Sequence, residues 1–403
     1  MRRFVARLFL LLSLSCPLPL AAQEEGGGEV DSSLVISLLT CSPGQEIYEL
    51  YGHTALRVRS ERAHWDVIFN YGAFDFTAPH FAWRFVLGQT DYMLIPEPLA
   101  LFLKQYADRG SEVVEQELNL KPQEATRLAK ALIEQSRPEN RSYRYNIFRS
   151  NCTTLARDKI ESCIDGKVMY PVHARRKSFR KILHEYTENH LWVRAGSDML
   201  LGADVDTLIT EREEMFAPLY MMHYADSAMI DAGRRNFRPL VSERRILLAA
   251  DEGRQKAAAD KQFTMPVSPG TLGWIILVAG LLLAAFELKR RRICWPVDAV
   301  LMTLQGLAGA VLVFMALFSA HPGVSSNWLV WIFNPLPLFF LPAVVRADIH
   351  RRNCLYHLGA TFFLVSFLAL YFLLPQNFCS LTLPLALLLL SRSVVHLLIY
   401  KRS

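Results

Sequence analysis

Five apolar stretches fill the last third of the chain and restrict its folding more than any other feature. They run from about Leu272 to Leu288, Val297 to Ala320, Trp328 to Val345, Leu355 to Leu374 and Cys379 to Tyr400. Each is near the length that crosses a bilayer as a helix. Lipid offers no partner to peptide groups, so such segments must satisfy their own backbone, and a helix does this. The flanks carry a charge code. KRRR (Lys289–Arg292), RADIHRR (Arg346–Arg352) and the final KRS fall on one side; SAHPGVSSN and LPQNF, without lysine or arginine, fall on the other. Basic loops stay in the cytoplasm. The first span then enters from outside and places residues 23–270 there, which predicts a multi-pass protein of the inner (cytoplasmic) membrane with a periplasmic N-terminal domain and a cytoplasmic C-terminus.

The other end of the chain agrees. Arg2, Arg3 and Arg7 precede LFLLLSLS, and PLAAQ offers a small-residue cleavage point near Ala22, so residues 1–22 read as a signal peptide. Cys16 sits in a poor match to a lipobox. Residues 23–32, EEGGGEV and onward, form a polar glycine-rich linker. The net charge of +6 is modest and no basic stripe with interleaved aromatics occurs, which argues against nucleic acid. No C-x-x-C, H-E-x-x-H or phosphate-cradling glycine loop is present, and no metal site is read from the scattered histidines. Of seven cysteines, the exported part keeps Cys41, Cys152 and Cys163. Three is odd, so at least one thiol is unpaired within that part. Cys41 with Cys163, or no pair at all, are both open.

Residues 33–203 read as an α+β domain. SLVISLLTC, HTALRVRS and HWDVIFNYGAF have strand character, the last two as a hairpin around SERAH. FAWRFVLG and LALFLKQYADRG read as helical, VVEQELNL alternates like a strand, and an amphipathic helix follows Pro122. SYRYNIF is extended and leads into a helix that begins at Cys152. Residues 204–270 read as a charged helical extension to the membrane domain (271–403), whose methionines and aromatics pack on the domain or the membrane surface.

Cys152 stands at the mouth of its helix, where the positive end of the dipole favours thiolate. The bland alternative is a small buried residue or half of a disulfide. A nucleophilic thiol needs a base within reach and a group that orients the base. His53 begins a strand, and the glycine before it permits close approach of another element. Its rivals are His64, His80, His173, His184, His190 and His223. On the return strand, register brings Asn70 near His53 and leaves Asp66 nearer the turn. Asn70 is therefore the orienting residue and Asp66 the second choice. In the membrane part, His321, Asn327 and Asn334 suggest a polar pocket at the outer leaflet, with Asn334 between helix-breaking prolines. Arg392 reads as snorkelling to the interface.

The strings LLTCSPGQEIYELYGHTALRV, IFNYGAFDF, FVLGQTDYML and YNIFRSNCTTLARDKIE resemble the Lnb family of bacterial lipoprotein N-acyltransferases, and SSNWLVWIFNPLPLFF resembles its membrane part. The resemblance implies a permuted papain-like (NlpC/P60-like) domain followed by an all-α domain of five membrane helices, in a Bacteroidetes-like bacterium. It implies Cys152 as nucleophile, His53 as base and Asn70 as third residue, with no cofactor. The acyl donor would be a phospholipid and the acceptor the α-amine of a diacylated lipoprotein. Substrate and oxyanion contacts are expected around Asn151, Arg149 and Tyr71, and the 204–262 segment as a cover. A thiol peptidase or amidase acting on cell-wall peptide, and a non-catalytic membrane assembly protein, are the alternatives.

Overall fold

The computed structural model describes residues 32–400 apart from 76, 173, 234, 235 and 261–264. The expected signal peptide, nearly all of the expected linker and His173 lie outside the described residues. The strands are β1 (Leu34–Cys41), β2 (His53–Ser60), β3 (Trp65–Ala73), β4 (Asp91–Pro98), β5 (Val113–Leu118), β6 (Ser142–Arg144), β7 (Lys167–Met169), β8 (Met229–Asp231), β9 (Phe237–Pro239) and β10 (Val241–Leu248). Seven of them form an antiparallel sheet in the order β10-β5-β1-β2-β3-β4-β6, and β7-β8-β9 form a small second sheet. Around them lie α1 (Phe81–Val86), α2 (Leu99–Arg109), α3 (Pro122–Ser136), α4 (Cys152–Cys163), α5 (Phe179–Tyr186), α6 (Leu191–Leu200), α7 (Glu211–Glu214), α8 (Pro218–Ser227) and α9 (Glu252–Ala259).

Strand alternation gives the main sheet two apolar faces. Ile36, Leu38, Leu56, Val58, Phe69 and Tyr71 pack on α3, α4 and α8 through Leu128, Leu132, Ala156, Ile160 and Met221. Leu39, Cys41, Ala55 and Ile68 pack on Phe102 and Tyr106 of α2. Cys41 and Cys163 thus belong to opposite faces, and both are free thiols, so the pairing considered for them does not form. The segment 204–270 is not purely helical: β10 pairs with β5, and Arg245 on it meets the buried Glu115 at 2.6 Å. Its charged text, VSERRILL, hides the strand because an edge strand carries charge on its exposed side. Strand β4 was likewise not assigned; its two prolines break the usual strand signal.

The C-terminal region is helical: α10 (Pro269–Arg290), α11 (Trp295–Phe318), α12 (Leu336–Ile349), α13 (Leu355–Leu370) and α14 (Thr382–Tyr400). Among the described residues, four spans are long and apolar enough to cross a membrane, the third running from Trp328 to Ile349; α13 is shorter. As the prolines suggest, the third span is broken. A single 3₁₀ turn, Trp328–Trp331, precedes α12, and Asn334 Oδ1 accepts from Leu336 N–H at 3.1 Å across the break.

Two contacts tie the soluble part to one end of this bundle. At one, Ala320 N–H donates to Leu87 O (2.9 Å) and Ser319 Oγ to Val86 O (2.8 Å). At the other, Gly202 N–H donates to Gly323 O (2.6 Å) and Ala203 N–H to Ser326 O (3.1 Å). Each has a glycine pressed on backbone. A Cβ on Gly88 would lie 2.7 Å from His321 N, and one on Gly202 would lie 2.4 Å from the Ser326 carbonyl carbon. Any side chain at either point would push the two parts of the protein apart.

Candidate active site

The helix that carries Cys152 starts where it does because Asn151 caps it. Asn151 Oδ1 accepts from Thr153 and Thr154 N–H, both at 2.9 Å, and Thr154 Oγ1 accepts from Asn151 N–H in return (2.9 Å). Asn151 Nδ2 donates to Ile147 O (2.7 Å) and Phe216 O (2.9 Å). Every polar atom of this side chain is therefore committed to the cap, and it has nothing left for a substrate oxyanion. Thr54 of β2 meets Thr153 at 3.0 Å between their hydroxyls, which pins the first turn of α4 to the strand that begins with His53.

His53 reaches this point because of two glycines. Gly52 has φ 73° and a Cβ there would sit 2.6 Å from Cys41 O. Gly72, at φ 102°, faces the imidazole; its missing Cβ would lie 3.6 Å from His53 Cε1. His53 and Cys152 come from different elements, and the charge of each acts on the other. Burial raises the Cys152 pKa, but the His53 charge and hydrogen bond, the Thr54 N–H and the Thr153 hydroxyl bring it below an ordinary thiol. Burial lowers that of His53, and the Cys152 sulfur and Asn70 more than offset it, so the imidazole holds its proton more tightly than a free one. Each shift favours the charged form of its group, so the two side chains support thiolate and imidazolium in each other.

The second ring nitrogen fixes the orientation. His53 Nε2 lies 2.6 Å from Asn70 Oδ1. Asn70 Nδ2 donates to Glu97 Oε1 (2.7 Å), and Gln105 Nε2 donates to Glu97 Oε2 (3.1 Å). Glu97 is buried and accepts at both oxygens, from Asn70 and from Gln105, so the NH₂ end of the Asn70 amide faces it and the amide oxygen faces His53. The amide oxygen then requires a hydrogen on Nε2 and leaves Nδ1 for Cys152. Sequence reading missed Glu97 and Gln105. The signal available was a glutamate between Pro96 and Pro98 beside a strand-forming run.

Asp66 is elsewhere. Its carboxylate receives Arg57 Nε at 2.7 Å and Nη2 at 2.6 Å. Tyr71 points to the opposite face of the sheet, where its hydroxyl donates to Gln135 Oε1 at 2.9 Å. Arg149 is exposed on the turn before Asn151, its N–H held by Asn146 Oδ1 at 3.1 Å. Two tyrosines not singled out from sequence, Tyr143 and Tyr145, have their pKa values raised by burial and then by the Cys152 charge. The Tyr143 hydroxyl is buried and has no hydrogen-bond partner. Cys41, the other thiol near His53, is fully buried and desolvation pushes its pKa far up, so it is inert beside Cys152.

At the membrane end, His321 Nε2 meets Phe85 O at 2.7 Å and serves the first docking contact. Asn327 Nδ2 donates to Met199 O (2.7 Å) in the second. Asn327 and Asn334 also line an open cavity of about 570 Å³ with Trp328, Trp331, Leu336 and Phe363. Arg392 does not snorkel: it is buried between Glu287 and Asp298.

Two family descriptions match this chain in the order the folding units occur. Residues 30–187 match the Lnb N-terminal periplasmic domain and residues 260–403 the Lnb transmembrane domain. The chain belongs to the Lnb family. No curated protein and no solved structure matches it. The two matched regions leave out 188–259, which holds the second docking contact and strand β10. Lnb membership joins a mixed α/β domain with a sheet to membrane helices, and the bound pair of Cys152 and His53 lies within the first matched region.

Proposed function

We propose that this protein is a lipoprotein N-acyltransferase in which Cys152 carries the acyl chain as a thioester. The observation that carries the reading is a thiol at a capped helix start, pinned through Thr153 and Thr54 to the strand of a histidine that Asn70 holds at 2.6 Å, in the periplasmic part of an Lnb chain; the two charges act on each other. His53 takes the Cys152 proton through Nδ1. The thiolate attacks an ester carbonyl of a membrane phospholipid; the C–O bond breaks and the imidazolium protonates the departing lysolipid hydroxyl. The free α-amine of an S-diacylglyceryl cysteine then attacks the thioester. His53 accepts the amine proton, Cys152 leaves as thiolate, and an amide remains.

Asn70 and Glu97 hold the imidazole through both steps. The Cys152 N–H, in the first turn of α4 where amides lack an intrahelical acceptor, faces the developing oxyanion. The Tyr143 hydroxyl supplies the second donor in this scheme. Both substrates are lipid-anchored, and the two docking contacts hold the domain against the outer ends of the helices, so acyl chains stay in lipid while carbonyl and amine reach the sulfur. The orientation follows the basic loops, with the soluble part periplasmic. Helix α13, shorter than the other spans, crosses as the fifth, and the soluble part is a permuted papain-like domain reaching through β10.

A cell-wall thiol peptidase would use the same pair. The docking contacts and the cavity of about 570 Å³ among membrane tryptophans favour lipid substrates instead. The test is complementation in bacteria depleted of their own N-acyltransferase, read by mass spectrometry of a reporter lipoprotein. The wild-type chain adds a third acyl chain; Cys152→Ala and His53→Ala do not. A third chain with Cys152→Ala overturns the scheme, and cell-wall peptide hydrolysis without lipoprotein acylation establishes the peptidase.

A further inference from the structure

At the end of the helix bundle away from the soluble part, all five helices send an ionisable side chain into one buried cluster. These are Glu287 from α10, Asp298 from α11, Asp348 from α12, His357 from α13, and Arg392 and His396 from α14, none more than 7% exposed. Arg392 forks between two carboxylates: Nη1 and Nη2 reach Glu287 at 2.5 and 2.9 Å, and Nε and Nη2 reach Asp298 at 2.7 and 2.9 Å. His396 Nε2 lies 2.9 Å from Asp298 Oδ2. Its Nδ1 is 3.0 Å from Asp348 Oδ1 but is not aligned for a hydrogen bond.

The charges do not close. Three carboxylates face one guanidinium, which leaves two negative charges in excess if both imidazoles are neutral. The rings of His357 and His396 stack with centroids 3.8 Å apart, so protonating both sets like charges face to face. One proton there still leaves a negative charge in excess, in a place where an unpaired charge is costly. Hydrogen bonding does not close either. Asp348 Oδ2, His396 Nδ1 and both ring nitrogens of His357 are buried without a hydrogen-bond partner.

One divalent cation balances the charge and gives the Asp348 and His396 side of the cluster a partner. Asp298, Asp348 and His396 each offer a ligand atom, and these atoms lie within 4.8 Å of one another. A cavity of about 20 Å³, lined by Asp298, His357 and Arg392 among others, lies on the Asp298 side of the cluster and has room for one water. Two carboxylates and an imidazole are the donor set of a zinc-class ion. We infer that Asp298, Asp348 and His396 bind one Zn²⁺-class cation that locks α11, α12 and α14 together. The site is separate from the acyl-transfer chemistry and stands or falls without it.

The test uses the full-length chain purified in detergent, stripped with EDTA and titrated with ZnCl₂, with metal measured by elemental mass spectrometry and stability by thermal unfolding. The wild type retains about one zinc per chain after desalting and unfolds at a higher temperature with zinc than without. Asp348→Asn, which keeps side-chain shape, and His396→Gln each lose that equivalent, with affinity down more than about tenfold. His321→Gln, at the opposite end of the bundle, keeps it. Wild-type protein that retains no zinc and unfolds at the same temperature with or without it overturns the inference and leaves the cluster to be neutralised by protons; this holds even if a variant fails to fold.

Discussion

Asn70→Ala separates the two residues that sequence offered as orienters of His53. The substitution removes the 2.6 Å acceptor of His53 Nε2 and the 2.7 Å donor to Glu97. The imidazole is a cation in the thiolate pair, and a hydrogen bond to a charged group contributes about 1.5–3 kcal/mol. That converts to a loss of about 10- to 150-fold in kcat/KM. The ring also loses the constraint that presents Nδ1 to sulfur, so the fall is in kcat more than in KM. Asp66→Ala is the control. Asp66 is 39% exposed in its side chain and pairs with Arg57, which keeps Glu115 at 3.0 Å as a second partner. Its removal costs about 1 kcal/mol of stability, and kcat/KM stays within about twofold. The assay is acyl transfer from phospholipid to a synthetic diacylated lipopeptide by detergent-solubilised protein, with unfolding temperature measured alongside. Full activity in Asn70→Ala, or a greater loss in Asp66→Ala, refutes the assigned orientation of the ring.

The pH dependence follows from the same pair. Cys152 is depressed and His53 raised, so each charge supports the other; alkylation of Cys152 by iodoacetamide falls as pH drops through the depressed thiol value, and acyl transfer falls with it because the thiolate is the nucleophile. In His53→Ala only burial and weaker donors act on the thiol, so the alkylation profile moves to higher pH and thiolate at pH 7 is at most about a few per cent; an unmoved profile contradicts the pairing. Tyr143→Phe lowers kcat about 10- to 100-fold with alkylation unchanged if its hydroxyl meets the oxyanion, and equal kcat rules that out. Asn151→Ala strips the cap and leaves Ile147 O and Phe216 O without their donor, which lowers stability by about 2–4 kcal/mol in chemical unfolding. Gly202→Val, whose Cβ meets the Ser326 backbone, loosens the docking contact, seen as faster proteolysis between residues 200 and 210 with the thiol still reactive.

The membrane region was the most legible part of the sequence, because lipid allows so few backbone solutions that hydrophobic length marks its helices. The start of a helix at Cys152 was legible, though its cap, Asn151, was read as a substrate contact, and His53 was legible through the glycine before it. Asn70 followed from strand register. Three things were hidden. Glu97 acts across a strand pair that prolines disguise, and a carboxylate in the chain looks the same whether it is buried or solvated. Strand β10 is an edge strand whose charges meet partners 130 residues away, as Arg245 meets Glu115. Arg392 looked like a snorkelling residue because its partners lie on other helices, and only tertiary packing brings Glu287 and Asp298 to it. Asn151 and Tyr71 were close in sequence or strand to the site, yet one is spent on a cap and the other's hydroxyl is spent on Gln135.

The covalent intermediate is the most direct test of acyl transfer through Cys152. The purified chain, given phospholipid but no acceptor amine, is examined by intact-protein mass spectrometry. The mass should rise by one acyl chain, return to its starting value with hydroxylamine or with diacylated lipopeptide, and stay constant in Cys152→Ala. An acyl chain that still attaches to Cys152→Ala, or product formed at full rate with no thioester ever on the enzyme, contradicts it.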